Sequence, residues 1–483
     1  MTGFDLTYRT QSRLLTIARQ ELVILWRDKS LPTFLLLLSV LLVGGLSDGL
    51  HRISAMDTKL ARAAEHDRPL GRIAEQLSLA EASGAVTPLA SPVVAALNSA
   101  SQYAMMPTLP LAPLALGQSD LLANPLIPDG MSEAQFLYDS DIGNPWRLAT
   151  GHFDVAFVVV FLLPLLIFSL SYNLLSGERE LGTLRLLLTQ SASPTMVALG
   201  KTATRAIIIA TPLLALPLPT MLLFRPIPNL SEFFTAGALW VALTLAYCLF
   251  WLSLSVLINS FCRSSAFNAL ALVGSWVVLT LVVPAALNLA VDALYPSPSR
   301  AQMIGMLTEL SEQAARRNAD LDRTDYGAMS DPGTKDGKFV IPSMAIRSAN
   351  MQKEVSEAMR PWVERFEIRS AERRSFVGAS RILSPAATVF EGLNVLSGTD
   401  ADRHSLLRSS AARFYREETE RALPRLSTGT PTTAAELRSL PRFVWAEDRF
   451  APSCHAAGSL AQILAPTALV IMAALFRLRS MSV

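Results

Sequence analysis

The chain is poor in the residues that carry chemistry. Its three cysteines, Cys248, Cys262 and Cys454, fall respectively within an apolar run, at the edge of another and in a long polar segment, a division that leaves no disulfide framework to expect. Five histidines, His51, His66, His152, His404 and His455, are scattered, and no HExxH or CxxC spacing offers a set of metal ligands. No serine stands in a G-x-S-x-G elbow. Gly200-Lys201-Thr202 ends like a phosphate loop, but Thr195 stands where the leading glycine is needed and no buried strand precedes it. The sequence therefore assigns no catalytic residue, no metal and no cofactor, and a formal net charge of +2 gives no reason to expect nucleic acid as a partner.

Long apolar runs are abundant instead. Residues 31–47, 155–171, 206–224, 236–257, 267–291 and 456–476 each approach or exceed the roughly 20 residues that cross a hydrocarbon core. With 51% hydrophobic residues and a mean hydropathy of +0.35, the chain is expected to be a multi-pass membrane protein with substantial soluble parts. The first run lies too far from the start, and lacks a small-x-small site after it, to be a signal peptide, so it reads as a retained anchor. The cores of these runs hold no acidic or basic residue, which leaves proton- or ion-coupled carriage without its usual groups. Pro164, Pro212, Pro217, Pro219, Pro284 and Pro466 are candidate kink sites.

Basic residues in the short loops set an orientation. Arg9, Arg13, Arg19, Arg27 and Lys29 precede the first run; Arg179, Arg185, Lys201 and Arg205 lie between the second and third; Arg263 separates the fourth and fifth; Arg477 and Arg479 follow the sixth. All are expected in the cytoplasm, whereas the connection between the third and fourth runs offers only Arg225. The predicted architecture is an all-α integral membrane protein with six transmembrane helices and both termini cytoplasmic. Residues 1–30 form the N-terminus and an elbow helix, 31–50 the first span, and 51–152 a first extracytoplasmic insertion. Residues 153–293 hold spans two to five with a coupling loop at 176–201. A second insertion covers 294–455, the last span 456–476 and a cytoplasmic tail 477–483.

Both insertions read as mainly helical. Residues 53–82 predict an outward continuation of the first span or a helix pair, whereas the prolines of 85–146 favour extended structure lying over a neighbour. In the second insertion, 300–322 and 345–374 are helix-forming, with a loop at 331–337. Ser384 with Pro385 opens a further helix, Gly398 closes it, and Thr399 with Asp402 forms a capping-box pattern for the next. Capping chemistry accounts for each of these residue types; a ligand-binding role for Asp400, Asp402 or His404 is the alternative.

Two cytoplasmic segments carry a pattern. On a helical wheel Leu14, Leu15, Ala18, Leu22, Leu25 and Trp26 share one face and Arg13, Gln20 and Arg27 the other, as in a helix lying in the membrane interface. The loop 176–201, SGERELGTLRLLLTQSASPTMVALGK, contains E-R-E-x-G-T-L-x-x-L-L-T, completed by Ser193 and Gly200-Lys201. This pattern resembles the cytoplasmic loop between helices 2 and 3 of ABC type-2 permeases, and Glu178, Arg179, Glu180, Gly182, Thr183 and Leu184 match it residue by residue. The segment with Glu21, Trp26, Arg27, Asp28 and Lys29 is similar to that family's elbow helix. The large insertions and the L-S-P-A…L-S-G-T-D…H signature of 383–404 resemble a bacterial branch distantly similar to permeases of nitrous oxide reductase maturation and gliding motility.

The resemblance implies a non-catalytic export subunit in the bacterial inner membrane, in contact with membrane lipid. ATP would be bound by a separate ABC ATPase docked on the loop, and a second permease subunit, identical or not, would complete the assembly. A periplasmic partner for the insertions is a further expectation. The alternative is a mechanotransmitting subunit driven by the same ATPase that moves no solute. Permeases of this kind carry a re-entrant hairpin after the fifth helix, a region much enlarged here.

Overall fold

The computed structural model describes residues 3–66, 69–85, 87–100, 102–117, 119, 124–126, 152–183, 193–261, 263–296, 300–318, 334–335, 337–341, 343–446 and 452–480. Among the described residues, six helices are long and apolar enough to cross a membrane: Ser30–Glu65, Val155–Glu180, Pro194–Phe224, Leu230–Asn259, Ser265–Leu294 and Pro452–Arg479, spans 1 to 6. They pass alternately between an end that carries both insertions and an opposite end that carries the loop after span 2. An all-α membrane protein with six spans, as the apolar runs predict, is what the chain forms; the described strands are a two-stranded hairpin, Thr334–Lys335 with Lys338–Phe339, in the interval read as a loop.

One large core unites the spans. Leu38 and Leu42 of span 1, Val159 and Leu163 of span 2, Ile209 and Leu213 of span 3, Trp240, Tyr247 and Trp251 of span 4, and Ile463 of span 6 are buried in it together. Spans 2 and 5 each contain a π-turn, Val158–Leu162 and Val278–Val282, and each turn is followed by a proline, Pro164 and Pro284. Proline has no N–H to donate, so a carbonyl one turn back loses its helical partner. Hydroxyls from other elements bond carbonyls of both π-turns: the Tyr247 hydroxyl donates to the Val160 carbonyl, four residues before Pro164, at 2.8 Å, and Ser384 Oγ to the Leu279 carbonyl, five before Pro284, at 2.8 Å.

The insertions form their outer structure jointly. Span 1 continues outward to His66 and is followed by a helix at Pro69–Ala82, so both readings of 53–82 hold in sequence. The proline-rich segment is not extended throughout: a 3-10 turn at Pro88–Ala90 and a short helix at Pro92–Ala100, with Pro92 in its first turn where no N–H is needed, precede an extended stretch around a 3-10 turn at Ala112–Leu114, which plugs the bundle with Leu111, Leu114 and Ala115. Residues 127–146 of that expectation, like 185–192, 319–333 and Cys262, lie outside the described residues. Ala104, Met106 and Leu126 of the first insertion share a core with Leu407, Ala411 and Tyr415 of the second. Arg225, on the connection between spans 3 and 4, pairs with Asp57 and donates to Thr108 Oγ1 at 2.8 Å, tying three outer segments together.

Close approach of the plug to span 1 depends on Gly49, where an added Cβ would lie 2.0 Å from the Pro113 carbonyl oxygen. Both partners are backbone, so neither can swing aside. Gly49→Ala is expected to cost about 1–3 kcal/mol, the usual range for overpacking, read as a fall in unfolding temperature of the detergent-purified protein.

The helix start at Ser384 follows the sequence: its Oγ accepts from Ala387 N, Pro385 occupies the first turn, and Gly398 closes the helix in a left-handed conformation (φ 67°). The next cap does not. Asp400, not Thr399, caps helix Ala401–Thr428 by accepting from Arg403 N at 3.1 Å, and Thr399 Oγ1 instead donates to the Ala115 carbonyl at 2.8 Å. Thr399 is taken up by the plug of the first insertion, a contact no local pattern encodes.

Residues 381–397, placed by sequence in the second insertion, lie within the bundle. Helix Ser343–Ser380 descends beside span 5: Arg373 bonds Asp292 at 2.7 Å and the Tyr295 carbonyl at 2.9 Å, and Phe376 stacks on Tyr295. After the turn at Arg381–Leu383, helix Pro385–Ser397 returns, with Ala386, Val389, Leu393 and Leu396 in the core of the spans. A re-entrant hairpin is therefore present after span 5.

Candidate functional site

Span 2 ends in a turn at 172–175 followed by a short helix, Ser176–Glu180. Gly182 stops that helix with φ +73°; a Cβ there would touch nothing within 4 Å, so glycine is needed for conformation and not for space. Thr183 Oγ1 donates back to the Glu178 carbonyl at 3.1 Å and to the Glu178 carboxylate, closing the loop on itself. Leu184 lies outside the described residues.

Glu178 is the root of a chain of charges. Its Oε1 accepts from Lys201 Nζ at 2.9 Å, Lys201 Nζ lies 3.5 Å from Glu21 Oε2, and Glu21 Oε1 accepts from Arg205 Nη2 at 2.5 Å and Nε at 3.1 Å. Glu21 and Arg205 are each 3% exposed and Lys201 8%. Two carboxylates and two cations alternate, so the chain is internally neutral while joining the loop, span 3 and the N-terminal helix Gly3–Arg27. Sequence reasoning placed Lys201 and Arg205 among the basic residues between the second and third apolar runs. They are inside a helix, because Ser193 Oγ caps it from Met196 N at 3.2 Å and Pro194 starts it well before the apolar run. The signal available was their i, i+4 spacing, which puts both on one face of any helix running through them.

The loop is also fastened to spans 4 and 5. Glu180 accepts from Ser265 N at 2.7 Å and Ser265 Oγ at 3.0 Å, placing its negative charge at the N-terminus of span 5, where the helix dipole favours it. Asn259, buried at the end of span 4, donates to the Ser171 carbonyl at 3.0 Å and accepts from Leu175 N and Asn268 Nδ2, both at 3.2 Å. Among the described residues of the loop, Arg179, Leu181 (78% exposed), Gly182 and Thr183 are exposed together with Glu180 and form its outward face.

Of the elbow residues, only Glu21 joins the cluster. Trp26, Arg27 and Asp28 are exposed beside the turn at Lys29 (φ 58°) that leads into span 1. The face of the helix that packs on span 3 carries Glu21 and Leu25, whereas Leu15, Leu22 and Trp26 of the apolar stripe stay exposed, as an interfacial helix requires.

Asp400 and His404, the alternative ligand residues, sit in the outer structure and are 3% and 1% exposed. Burial pushes the His404 imidazole down to about 3 and the Asp400 carboxyl up to about 6; burial likewise raises Asp154, which caps span 2, to about 6. Asp402, between them in sequence, pairs instead with Arg374 at 3.0 Å. A lowered histidine binds fewer protons folded than unfolded, so its contribution to stability falls as pH drops below about 6.5; the raised carboxyls act in the opposite sense between about pH 4 and 6. Relative to wild type, His404→Gln should therefore gain about 1.4 kcal/mol per pH unit on going from pH 6 to 4, measured by denaturant unfolding at each pH.

Two family models match the chain. One, described as ABC-2 family transporter protein, covers residues 15–330, which include the N-terminal helix from Leu15, spans 1 to 5 and the loop. The other, a Domain of unknown function (DUF3526), covers 336–446, which include the descending and returning helices and Asp400 to His404. No curated protein matches. With the first model spanning well over half of its length, and with six spans folded around a loop rooted in four of them, the chain belongs to the ABC-2 family of transporter proteins and is a multi-pass membrane protein of that family.

Proposed function

We propose that this chain is the membrane subunit of an ATP-binding-cassette exporter, and that the outward face at Arg179, Leu181, Gly182 and Thr183 docks a separate ATPase subunit. The observation that carries the reading is the charge chain Glu178–Lys201–Glu21–Arg205, which fastens that face to the N-terminal helix and to span 3. A push on a loop held only by backbone would dissipate locally. A push on this one displaces three elements, and Glu180 adds span 5. Two ATPase states that grip the face with different affinity would shift the bundle between two arrangements by that difference.

The loop end is assigned to the cytoplasm, supported by the collection there of Arg19, Arg27, Lys29, Lys201, Arg205, Arg263, Arg477 and Arg479. The assembly requires a second permease subunit and sits in the bacterial inner membrane. Purification from native membranes should recover an ABC ATPase with the chain; a fully active preparation with no ATPase would refute the reading.

One observation favours a mechanotransmitting role. Helix Ser343–Ser380, 38 residues and about 57 Å long at 1.5 Å per residue, continues through Pro361 from the re-entrant hairpin to an arm in which Val355 and Met359 pack with Ala314 of Arg300–Arg317. Motion of span 5 would swing that arm outside the membrane. Sealed vesicles separate the roles: an exporter accumulates solute with ATP, whereas a mechanotransmitter turns over ATP without accumulating any.

A further inference from the structure

The re-entrant hairpin carries charges to a depth where none was expected. Ser384 bonds the carbonyl of Leu279, at the middle of span 5, and Glu391 lies two helical turns along the returning helix, about 10 Å from that level. That distance falls inside the roughly 15 Å half-thickness of a hydrocarbon core. Arg381, in the turn, reaches Glu391 at 3.3 Å. Gln462 of span 6 donates to the Gly378 carbonyl at 3.3 Å, so the pair sits where the descending helix, the returning helix and span 6 meet.

The pair is not sealed in. The Arg381 side chain is 23% exposed and that of Glu391 26%. Lipid is a poor neighbour for either: ionised groups at this depth face the bundle interior or water, and a glutamate is too short to reach the interface as a lysine would. We propose that the Arg381–Glu391 pair lines a water-filled cleft entering the bundle from the insertion end, the polar wall of the transport route. Only the word transport rests on the function proposed above; the cleft itself is a claim about water.

Thiol labelling reads water access, because a methanethiosulfonate reacts with thiolate, which forms in water and not in an apolar environment. In a chain with Cys248, Cys262 and Cys454 replaced by serine, single cysteines are introduced at Ala387 and at Glu391, one turn apart on the same face of the returning helix. Val444, exposed in the outer structure, and Leu281, exposed on span 5, serve as references. With a membrane-impermeant cationic reagent applied to the assembled complex in vesicles open to the insertion end, Ala387→Cys and Glu391→Cys should label within about tenfold of Val444→Cys, and Leu281→Cys about a hundredfold or more slower. Protection of Ala387→Cys to the level of Leu281→Cys overturns the proposal. Ala387→Cys decides because it leaves the ion pair intact, whereas Glu391→Cys unpairs Arg381. Such protection would leave ATPase recovery unchanged, so failure here is distinguishable from failure of the docking assignment.

Discussion

Glu21→Leu should be the most damaging single substitution in the membrane half of the chain. It leaves Arg205, 3% exposed, with no carboxylate, and removes one of the two that hold Lys201. Stranding a buried charge costs about 3–5 kcal/mol, although an intact buried pair adds little net stability because desolvation offsets attraction. Expected outcomes are a large loss of folded protein in the membrane and a lower midpoint of detergent-phase unfolding. The same reasoning predicts rescue: Glu21→Leu with Arg205→Leu should return most of the stability, since an apolar pair of similar volume replaces the ionic one. Rescue of folding without rescue of ATP-driven activity would separate the mechanical role of the cluster from its structural one.

Glu178→Ala is expected to act on activity more than on fold. Glu178 is partly exposed, and its loss frees the loop from Lys201 and removes the carboxylate that accepts from Thr183 Oγ1, while the backbone carbonyl at 178 can still accept from Thr183 and Glu21 still neutralises Arg205. The outward residues Arg179, Leu181 and Gly182 are untouched, so the ATPase should still co-purify. Stimulation of ATP turnover by the membrane subunit should fall by about 5- to 150-fold, the span of typical coupling free energies. Gly182→Val should do the reverse, because a β-branched residue at φ +73° is strained and reshapes the face itself: ATPase recovery is lost. Equal loss of ATPase binding in both variants would contradict a division between root and face.

Much of this was legible in the sequence because membranes impose simple rules. Six apolar runs predict six spans, and the chain has them. Ser384, Pro385 and Gly398 take their capping places because caps depend on near neighbours. What sequence could not deliver depends on partners distant in the chain. Lys201 and Arg205 look like surface anchors until Glu21, on another helix, is brought against them. Arg381 and Glu391 read as outer-domain residues because a re-entrant hairpin has no apolar run of spanning length to announce it. The six apolar runs themselves hold no charge, and counting such runs assigns depth only to segments that cross.

The docking face is tested most directly by a photo-reactive p-benzoylphenylalanine in place of Leu181, 78% exposed beside Gly182. Irradiation of the native complex should link this chain to an ABC ATPase subunit, with a yield that changes between nucleotide-free and ATP-bound states. A complex that still turns over ATP but yields no ATPase adduct from this position, or a docking face accessible only from the outer side of the membrane, would contradict the account.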